Sequence, residues 1–188
     1  MAEVLLFHHA QGLTPGVRAF ADAPRSAGHT VHTPDLYDGK TFETVDDGVA
    51  HAQEVGFGTI LERGVSAAEG MPNELVYAGF SLGGMPAQKL AQTRPGARGA
   101  LLFHAALPPS EFGEAWPTGV PLQIHFMEND PWAEEDLPAA REIAETVADA
   151  ELFIYPGDRH LFADSSLPDY DERSATLLEK RTLAFLAG

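Results

Sequence analysis

The segment Val76–Gly84 is the feature that most limits what this chain can fold into. Its first five residues, Val76-Tyr77-Ala78-Gly79-Phe80, form an apolar run of strand formers, and Ser81-Leu82-Gly83-Gly84 continue it into a Gly-x-Ser-x-Gly-Gly turn before a helix-like segment. This context is typical of a nucleophile elbow, in which a strained turn exposes a serine hydroxyl above a sheet. A Cβ at Gly79 or Gly83 would crowd the neighbouring backbone there. A strand-to-helix turn that uses glycine only for tightness is the alternative interpretation.

Composition and charge predict one compact domain, residues 1–188, with neither a nucleic-acid nor a membrane partner. Of the 188 residues, 44% are hydrophobic and 21% are charged, which suits a single domain with a sizeable core. The formal net charge is −16, from 28 acidic and 12 basic residues, and such a surface repels phosphate backbones and anionic lipids. The first residues, Met1-Ala2-Glu3-Val4-Leu5-Leu6-Phe7, lack the basic region of a signal peptide, and no apolar run could cross a bilayer. We therefore expect a cytoplasmic protein.

The chain contains no cysteine. Disulfides, thiolate metal sites and a thiol nucleophile are thereby excluded together. Any nucleophile must be an oxygen or a nitrogen.

Short apolar runs alternate with helix-like segments along the whole chain. Continuous apolar character, rather than strict alternation, is typical of parallel strands that are covered on both faces. The pattern predicts an α/β fold, with a mostly parallel central sheet and helices on both of its faces. The predicted strands are Glu3 to His8, Thr30 to Thr33, Glu74 to Phe80, Gly99 to Phe103, Leu122 to Met127 and Glu151 to Tyr155. The predicted helices are Gly16 to Ala27, Val45 to Glu69 (kinked or split at its glycines), Pro86 to Thr93, Glu134 to Ala148 and Asp171 to Leu186.

Two later loops supply the partners that a serine nucleophile needs. A serine hydroxyl is a poor nucleophile unless a base takes its proton, and histidine oriented by a carboxylate is the natural base. Asp130 follows one predicted strand and His160 follows the next, so that nucleophile, acid and histidine occur in the chain order of an α/β-hydrolase. We interpret Ser81, Asp130 and His160 as a catalytic triad. Glu128, in the same loop as Asp130, is the second choice for the acid.

Each member of this set has another interpretation. Asp130 precedes Pro131 and could begin a turn and cap the following helix, and His160 could be an ordinary loop histidine. His104 and His125 lie within or just after strand runs and are interpreted as core histidines. The histidines near strand ends also suggest a metal site, but no His-x-x-x-His or Glu-x-x-His spacing on a helix supports one, so we expect neither a metal nor a cofactor.

Acyl transfer also needs hydrogen-bond donors for the developing oxyanion. The backbone N–H of Leu82, directly after the nucleophile, is the first candidate. The second is expected in the loop His8-His9-Ala10-Gln11-Gly12 after the first strand, where small residues permit close approach. Ala10 is the predicted second donor.

In these motifs and their order, the chain resembles the dienelactone hydrolase family of α/β-hydrolases over nearly its whole length. The resemblance is carried by Leu5 to Gly12, by Gly28-His29-Thr30-Val31 through Pro34-Asp35-Leu36-Tyr37, by the elbow, and by Tyr155-Pro156-Gly157 leading to His160-Leu161-Phe162. The family implies hydrolysis of carboxylic esters or lactones through a covalent intermediate, without a cofactor.

Three departures from the family pattern bear on the substrate. The best-known members have cysteine where this chain has Ser81, a glutamate at the position of His9, and an arginine for the substrate carboxylate at the position of Asp164. We therefore predict a small, uncharged ester or lactone rather than dienelactone. The predicted pocket residues are His9, Gln11, Trp116, Trp132 and Phe162, and Glu111, Glu114 and Asp164 are expected to repel anionic substrates nearby.

Two further functions remain alternatives. The first is a ligand-binding or regulatory protein that keeps the fold without the chemistry. The second is a nucleotide- or flavin-binding doubly wound domain, which is disfavoured because Ser81 occupies the place where Gly-x-Gly-x-x-Gly needs its second glycine.

Overall fold

A computed structural model describes residues 1–113 and 115–188. Six parallel strands form one sheet in the order β2-β1-β3-β4-β5-β6. The strands are β1 Glu3–Phe7, β2 Thr30–His32, β3 Val76–Phe80, β4 Gly99–Phe103, β5 Leu122–Met127 and β6 Ala150–Tyr155. The helices are α1 Pro15–Ser26, α2 Val45–Val55, α3 Phe57–Ser66, α4 Gly84–Thr93, α5 Leu137–Thr146 and α6 Glu172–Ala187.

The sheet is covered on both faces, as the continuous apolar strands predict. Alternate residues of one strand point to opposite faces, so Leu5 and Phe7 of β1 join one core cluster while Val4 and Leu6 join the other. Buried residues of α2 to α5 pack in the first cluster, and those of α1 and α6 pack in the second. The predicted α/β architecture is thereby confirmed.

The break that the glycines predict within residues 45–69 is present, whereas the start of α5 differs from the prediction. The predicted helix over 45–69 is two helices, because Gly56 between them has φ 92°, a left-handed conformation that ends α2. The helix predicted from Glu134 starts at Leu137, after Asp136. Pro138 then occupies the first turn, where a missing N–H removes no helical hydrogen bond.

The sheet order reverses between β1 and β3, since the chain moves outward to β2 and then crosses to the other side. In open α/β sheets, ligands bind outside the carboxyl ends of the strands at such a switch point. The loop after β1 and the turn after β3 both lie there. Within the part of the chain that the structure describes, no helix has the length and apolar character required to span a membrane.

Candidate active site

Ser81 lies directly after β3 in the strained turn that its sequence context predicts. Its φ is 47°, in the left-handed region that residues other than glycine seldom adopt. A Cβ at Gly79 would clash with the Gly83 carbonyl, and a Cβ at Gly83 would lie 2.6 Å from the carbonyl oxygens of Phe7 and His8. The two glycines therefore let the turn close against the end of β1, and this packing maintains the strain at Ser81.

A chain of two hydrogen bonds links Ser81 to His160 and Asp130. The Ser81 hydroxyl Oγ is 2.8 Å from His160 Nε2, and His160 Nδ1 is 2.7 Å from Asp130 Oδ2. A carboxylate only accepts hydrogen bonds, so His160 carries its proton on Nδ1 and its Nε2 is free to accept the Ser81 proton. His160 and Asp130 are both buried, which excludes competing water from this pair.

Asp130 begins a turn and also faces His160, but it does not cap the following helix, which starts at Leu137 after Asp136. Its Oδ1 accepts a hydrogen bond from the Trp132 N–H at 2.9 Å, which is the turn interpretation, while its Oδ2 faces His160. The turn thus orients the carboxylate. Glu128, the alternative acid, is exposed and lines a separate cavity with Asn129 and Pro131.

The loop after β1 is braced by hydrogen bonds around His9. The His9 carbonyl accepts the His8 Nδ1–H at 2.7 Å and the Gly12 N–H at 3.0 Å, and His9 Nδ1 accepts the Gln11 N–H at 3.2 Å. Ala10, in the middle of this loop, is buried, and its own N–H has no acceptor within residues 1–113 and 115–188. Of the two predicted oxyanion donors, Leu82 lines the cleft at Ser81, whereas Ala10 does not.

His9 and Asp164 form a buried pair rather than part of a pocket wall. His9 Nε2 donates to Asp164 Oδ2 at 2.7 Å, and Asp164 also accepts hydrogen bonds from the hydroxyls of Thr14 and Ser166. Burial raises the pKa of Asp164, but these hydrogen bonds outweigh it and hold that pKa below its ordinary value. The prediction that Asp164 repels substrate is wrong, because its carboxylate is buried and fully engaged.

The cleft at Ser81 has a volume of about 200 Å³ and is lined mainly by small and apolar groups. This volume is smaller than the roughly 300–1,000 Å³ of pockets that bind drug-sized ligands, so the cleft suits a small molecule. No lysine or arginine lines it among the described residues. Its walls are formed by Ser81, Leu82, Gly84, Met85, Gln88, His104, Ala105, Ala106, Leu107, Trp132, Asp136 and His160.

Of the five predicted pocket residues, Trp132 alone lines this cleft, with its ring centroid 5.9 Å from that of His160. The prediction is wrong for the other four, which lie elsewhere. Gln11 is buried and donates its side-chain amide to the Phe42 carbonyl, Phe162 packs in the core against His104 and Tyr155, and His9 is the brace described above. Trp116 donates its Nε1–H to the Val120 carbonyl at 2.7 Å and borders another cavity whose walls carry no histidine.

The acidic group in the cleft is Asp136, which sequence reasoning missed. Burial raises the pKa of the Asp136 carboxyl, although a hydrogen bond from the Ala106 N–H acts in the opposite direction. Of the predicted acidic groups, Glu111 is exposed on a surface turn, and Glu114 lies outside the described residues. The helix-like pattern from Glu134 placed Asp136 inside a helix, and this obscured its position at the N-terminus facing the cleft.

His104 was also missed, because its place at a strand end suggested a core histidine with satisfied hydrogen bonds. It is buried and lines the cleft, yet neither ring nitrogen has a partner among the described residues. By contrast, His8, at the end of β1, uses both nitrogens: Nδ1 donates to the His9 carbonyl and Nε2 accepts the Leu36 N–H at 2.9 Å. Burial lowers the pKa of His8 to about 4.

Comparisons with known proteins agree with this architecture. The model of the dienelactone hydrolase family matches residues 1–188. Among solved structures, the chain resembles a dienelactone hydrolase from Anabaena variabilis, with a TM-score of 0.72 and 20% identity over 100% of this chain and 86% of that one. It also resembles a dienelactone hydrolase-like promiscuous phosphotriesterase from metagenomic libraries, with a TM-score of 0.75 and 16% identity over 100% and 86%.

A third similar structure is a thermostable carboxylesterase cloned from a metagenomic library, with a TM-score of 0.67 and 14% identity over 100% of this chain and 80% of that one. At these sequence identities the similarity of the structures shows a common fold. No curated protein sequence matches the chain. The family match over the full length, together with the six-stranded parallel sheet and the elbow after β3, shows that the chain belongs to the dienelactone hydrolase family.

Proposed function

We propose that the protein hydrolyses small, uncharged carboxylic esters or lactones through an acyl-enzyme intermediate on Ser81. The observation that carries the proposal is the hydrogen-bonded chain from Ser81 through His160 to Asp130, with the serine at a strained elbow beside a small cleft. Family membership supports the reaction class, because dienelactone hydrolases cleave an ester bond within a lactone ring.

The proposed reaction assigns one role to each group. His160 Nε2 takes the proton as Ser81 Oγ attacks the carbonyl carbon, and Asp130 stabilises the imidazolium that results. The N–H groups of Leu82 and Ala10 receive the oxyanion. His160 then gives the proton to the leaving alkoxide, and a water activated by His160 releases the acid and restores Ser81.

The cleft supports a substrate that is both small and uncharged. Its volume is about 200 Å³, and its walls offer Asp136 but no basic side chain among the described residues. A substrate carboxylate would find no cationic partner there and would meet like charge at Asp136. A neutral ester needs no cationic partner and is not repelled by the Asp136 carboxylate.

Covalent labelling tests the proposal directly. A fluorophosphonate should modify Ser81 in the wild-type protein, and mass spectrometry of the digested protein should place the adduct on the peptide that contains it. Prior incubation with a short-chain ester should slow the labelling. A purified, folded protein that hydrolyses no short-chain ester or lactone and takes up no probe would instead support the non-catalytic, ligand-binding alternative.

The two carboxylates of the loop after β5 should differ sharply in their effect on turnover. Asp130→Asn should lower kcat by about 10²–10⁴-fold, because the amide no longer stabilises the His160 imidazolium. Glu128→Gln, a matched change on an exposed side chain of the same loop, should alter kcat by less than about twofold. Steady-state kinetics on one short-chain ester compare the two variants, and the reverse ranking would move the acid to Glu128.

Charge discrimination should depend on Asp136. We expect neutral esters to be hydrolysed with a higher kcat/KM than matched esters that carry a carboxylate, by about tenfold or more. Asp136→Asn should narrow that gap, whereas Glu111→Gln, on the exposed surface turn, should leave it unchanged. The kcat/KM ratio for each substrate pair provides the measurement. A wild-type preference for the anionic member would contradict the prediction.

A further inference from the structure

His104 is a polar side chain of the cleft, and the proposed reaction uses neither of its ring nitrogens. It follows β4 directly and lines the same cleft as Ser81 and His160, with its ring centroid 5.8 Å from that of His160. The residue is 2% exposed, and neither Nδ1 nor Nε2 has a hydrogen-bond partner within residues 1–113 and 115–188. Buried polar groups are nearly always hydrogen-bonded, so a ring with two unpartnered nitrogens at a cleft indicates a ligand contact.

The surrounding structure holds the His104 ring in place. The backbone of His104 has a φ of 63°, a strained conformation, and its backbone N–H donates to the His125 carbonyl at 2.8 Å. Phe80 stacks against the ring at 5.9 Å between centroids, and Phe162 contacts it edge-on at 4.7 Å. Strain of this kind persists where the neighbouring structure over-determines a side-chain position, and such residues cluster at ligand sites. The ring is thus preorganised rather than free to turn away.

The ring is also uncharged. Burial lowers the pKa of His104 well below its ordinary value, and the nearby His160 acts in the same direction. A neutral imidazole has one N–H donor and one bare nitrogen acceptor. It can therefore pair with a group that both donates and accepts, and it does not repel the imidazolium that forms on His160 during the proposed reaction.

We propose that His104 is a specificity-determining residue that hydrogen-bonds a hydroxyl group on the substrate, close to the reacting carbonyl. The inference rests on the proposed ester hydrolysis and narrows its substrates to short hydroxy esters or hydroxylated lactones. A hydroxyl matches either nitrogen of the ring, while the remaining cleft wall is mostly apolar. A substrate without the hydroxyl leaves the buried imidazole unpaired, which is the basis of strong discrimination.

The test measures selectivity within matched pairs. For ethyl lactate against ethyl propanoate, and ethyl 3-hydroxybutanoate against ethyl butanoate, the ratio of kcat/KM values is compared between wild type and His104→Phe. This comparison cancels the intrinsic reactivity of each ester. We expect the hydroxy-to-deoxy ratio to fall by about tenfold or more in at least one pair. His104→Asn, which retains a donor and an acceptor and tolerates positive φ, should show a smaller fall.

His125→Phe is the matched control. It removes another fully buried histidine with an unpartnered Nε2, but one that does not line the cleft. The ratio should keep its wild-type value in this variant. Equal ratios in wild type and His104→Phe, or an equal fall in His125→Phe, would overturn the proposal.

A second readout needs no change at His104. In the Ser81→Ala protein, the ¹⁵N resonances of the His104 ring should move on addition of the hydroxy ester and stay in place with its deoxy partner. Equal responses to both esters would also overturn the proposal. Failure of the proposed function is distinguishable, because the wild-type protein would then hydrolyse neither member of either pair.

Discussion

Ser81→Ala is expected to lower kcat for a short-chain ester by about three decades or more while the fold is retained. The hydroxyl that contacts His160 Nε2 at 2.8 Å is lost, and alanine fits the same turn because it is smaller than serine. Ester hydrolysis by the purified variant measures the loss, and far-UV circular dichroism with thermal unfolding checks the fold. Ser110→Ala, at an exposed serine of the surface turn after β4, is the matched control and should retain wild-type turnover.

A change at His160, the hydrogen-bond partner of Ser81, gives a second test of the same proposal. His160→Ala should lower kcat by a similar factor, and combining it with Ser81→Ala should add little, because residues that act as one unit are strongly non-additive. Wild-type turnover in the Ser81→Ala protein would end the serine-hydrolase proposal.

Acidification is expected to unfold the protein over a narrow pH range, because three buried histidines resist protonation. Burial lowers the pKa of His8 to about 4 and that of His125 to about 3, and the pKa of His104 is lowered well below 6.5 by burial too. The same side chains titrate near 6.5 in the unfolded chain. Below that pH the unfolded state binds three protons that the folded state does not.

The sign and size of the effect follow from linkage. Stability rises with pH wherever the unfolded state binds more protons, so these groups contribute nothing above about pH 6.5 and destabilise the fold progressively from there to about pH 4. Three protons change the free energy of unfolding by about 4 kcal/mol per pH unit. A domain at the lower end of the usual range of about 5–15 kcal/mol should therefore unfold near pH 5, and a more stable one should lose most of its stability by about pH 4.

Denaturant unfolding at several pH values between 7.5 and 5 measures this slope. Asp164 adds a separate loss at lower pH, because its pKa lies below the ordinary value and its hydrogen bonds disappear when it is protonated. His125→Phe should reduce the slope above pH 5 by about one third, since one of the three titrating rings is removed. A flat stability curve between pH 6.5 and 5 would show that the buried rings take up protons in the folded state.

Local sequence was sufficient for the features that arise within one segment. The apolar runs predicted the six strands, since a strand buried on both faces must be apolar throughout. The elbow was readable because so tight a turn requires glycine at position 79, and the glycine at position 83 lets it pack against the end of β1. The chain order Ser81, Asp130, His160 pointed to one edge of the sheet, because the carboxyl ends of parallel strands meet there.

Pairings across the fold were outside the reach of that reasoning. His9 and Asp164 are 155 residues apart, and no local pattern indicates that their side chains form a buried hydrogen bond. Aromatic and amide side chains such as Trp116, Gln11 and Phe162 fit a pocket wall and a core equally well by residue type. The loops of Gln11 and Phe162 do lie at the carboxyl ends of strands, but both side chains are buried there. Trp116 instead borders a cavity beside Val147 to Asp149, the residues that precede β6.

The sequence by itself determined the fold class, the elbow and the set of residues from which a serine nucleophile and its partners could be drawn, because these depend on local conformation and strand order. Only the tertiary structure decided which carboxylate faces His160, which side chains wall the cleft, and that Asp136 and His104 are among them. The physical reason is that side-chain direction at a loop depends on packing against distant segments, which spacing along the chain does not encode.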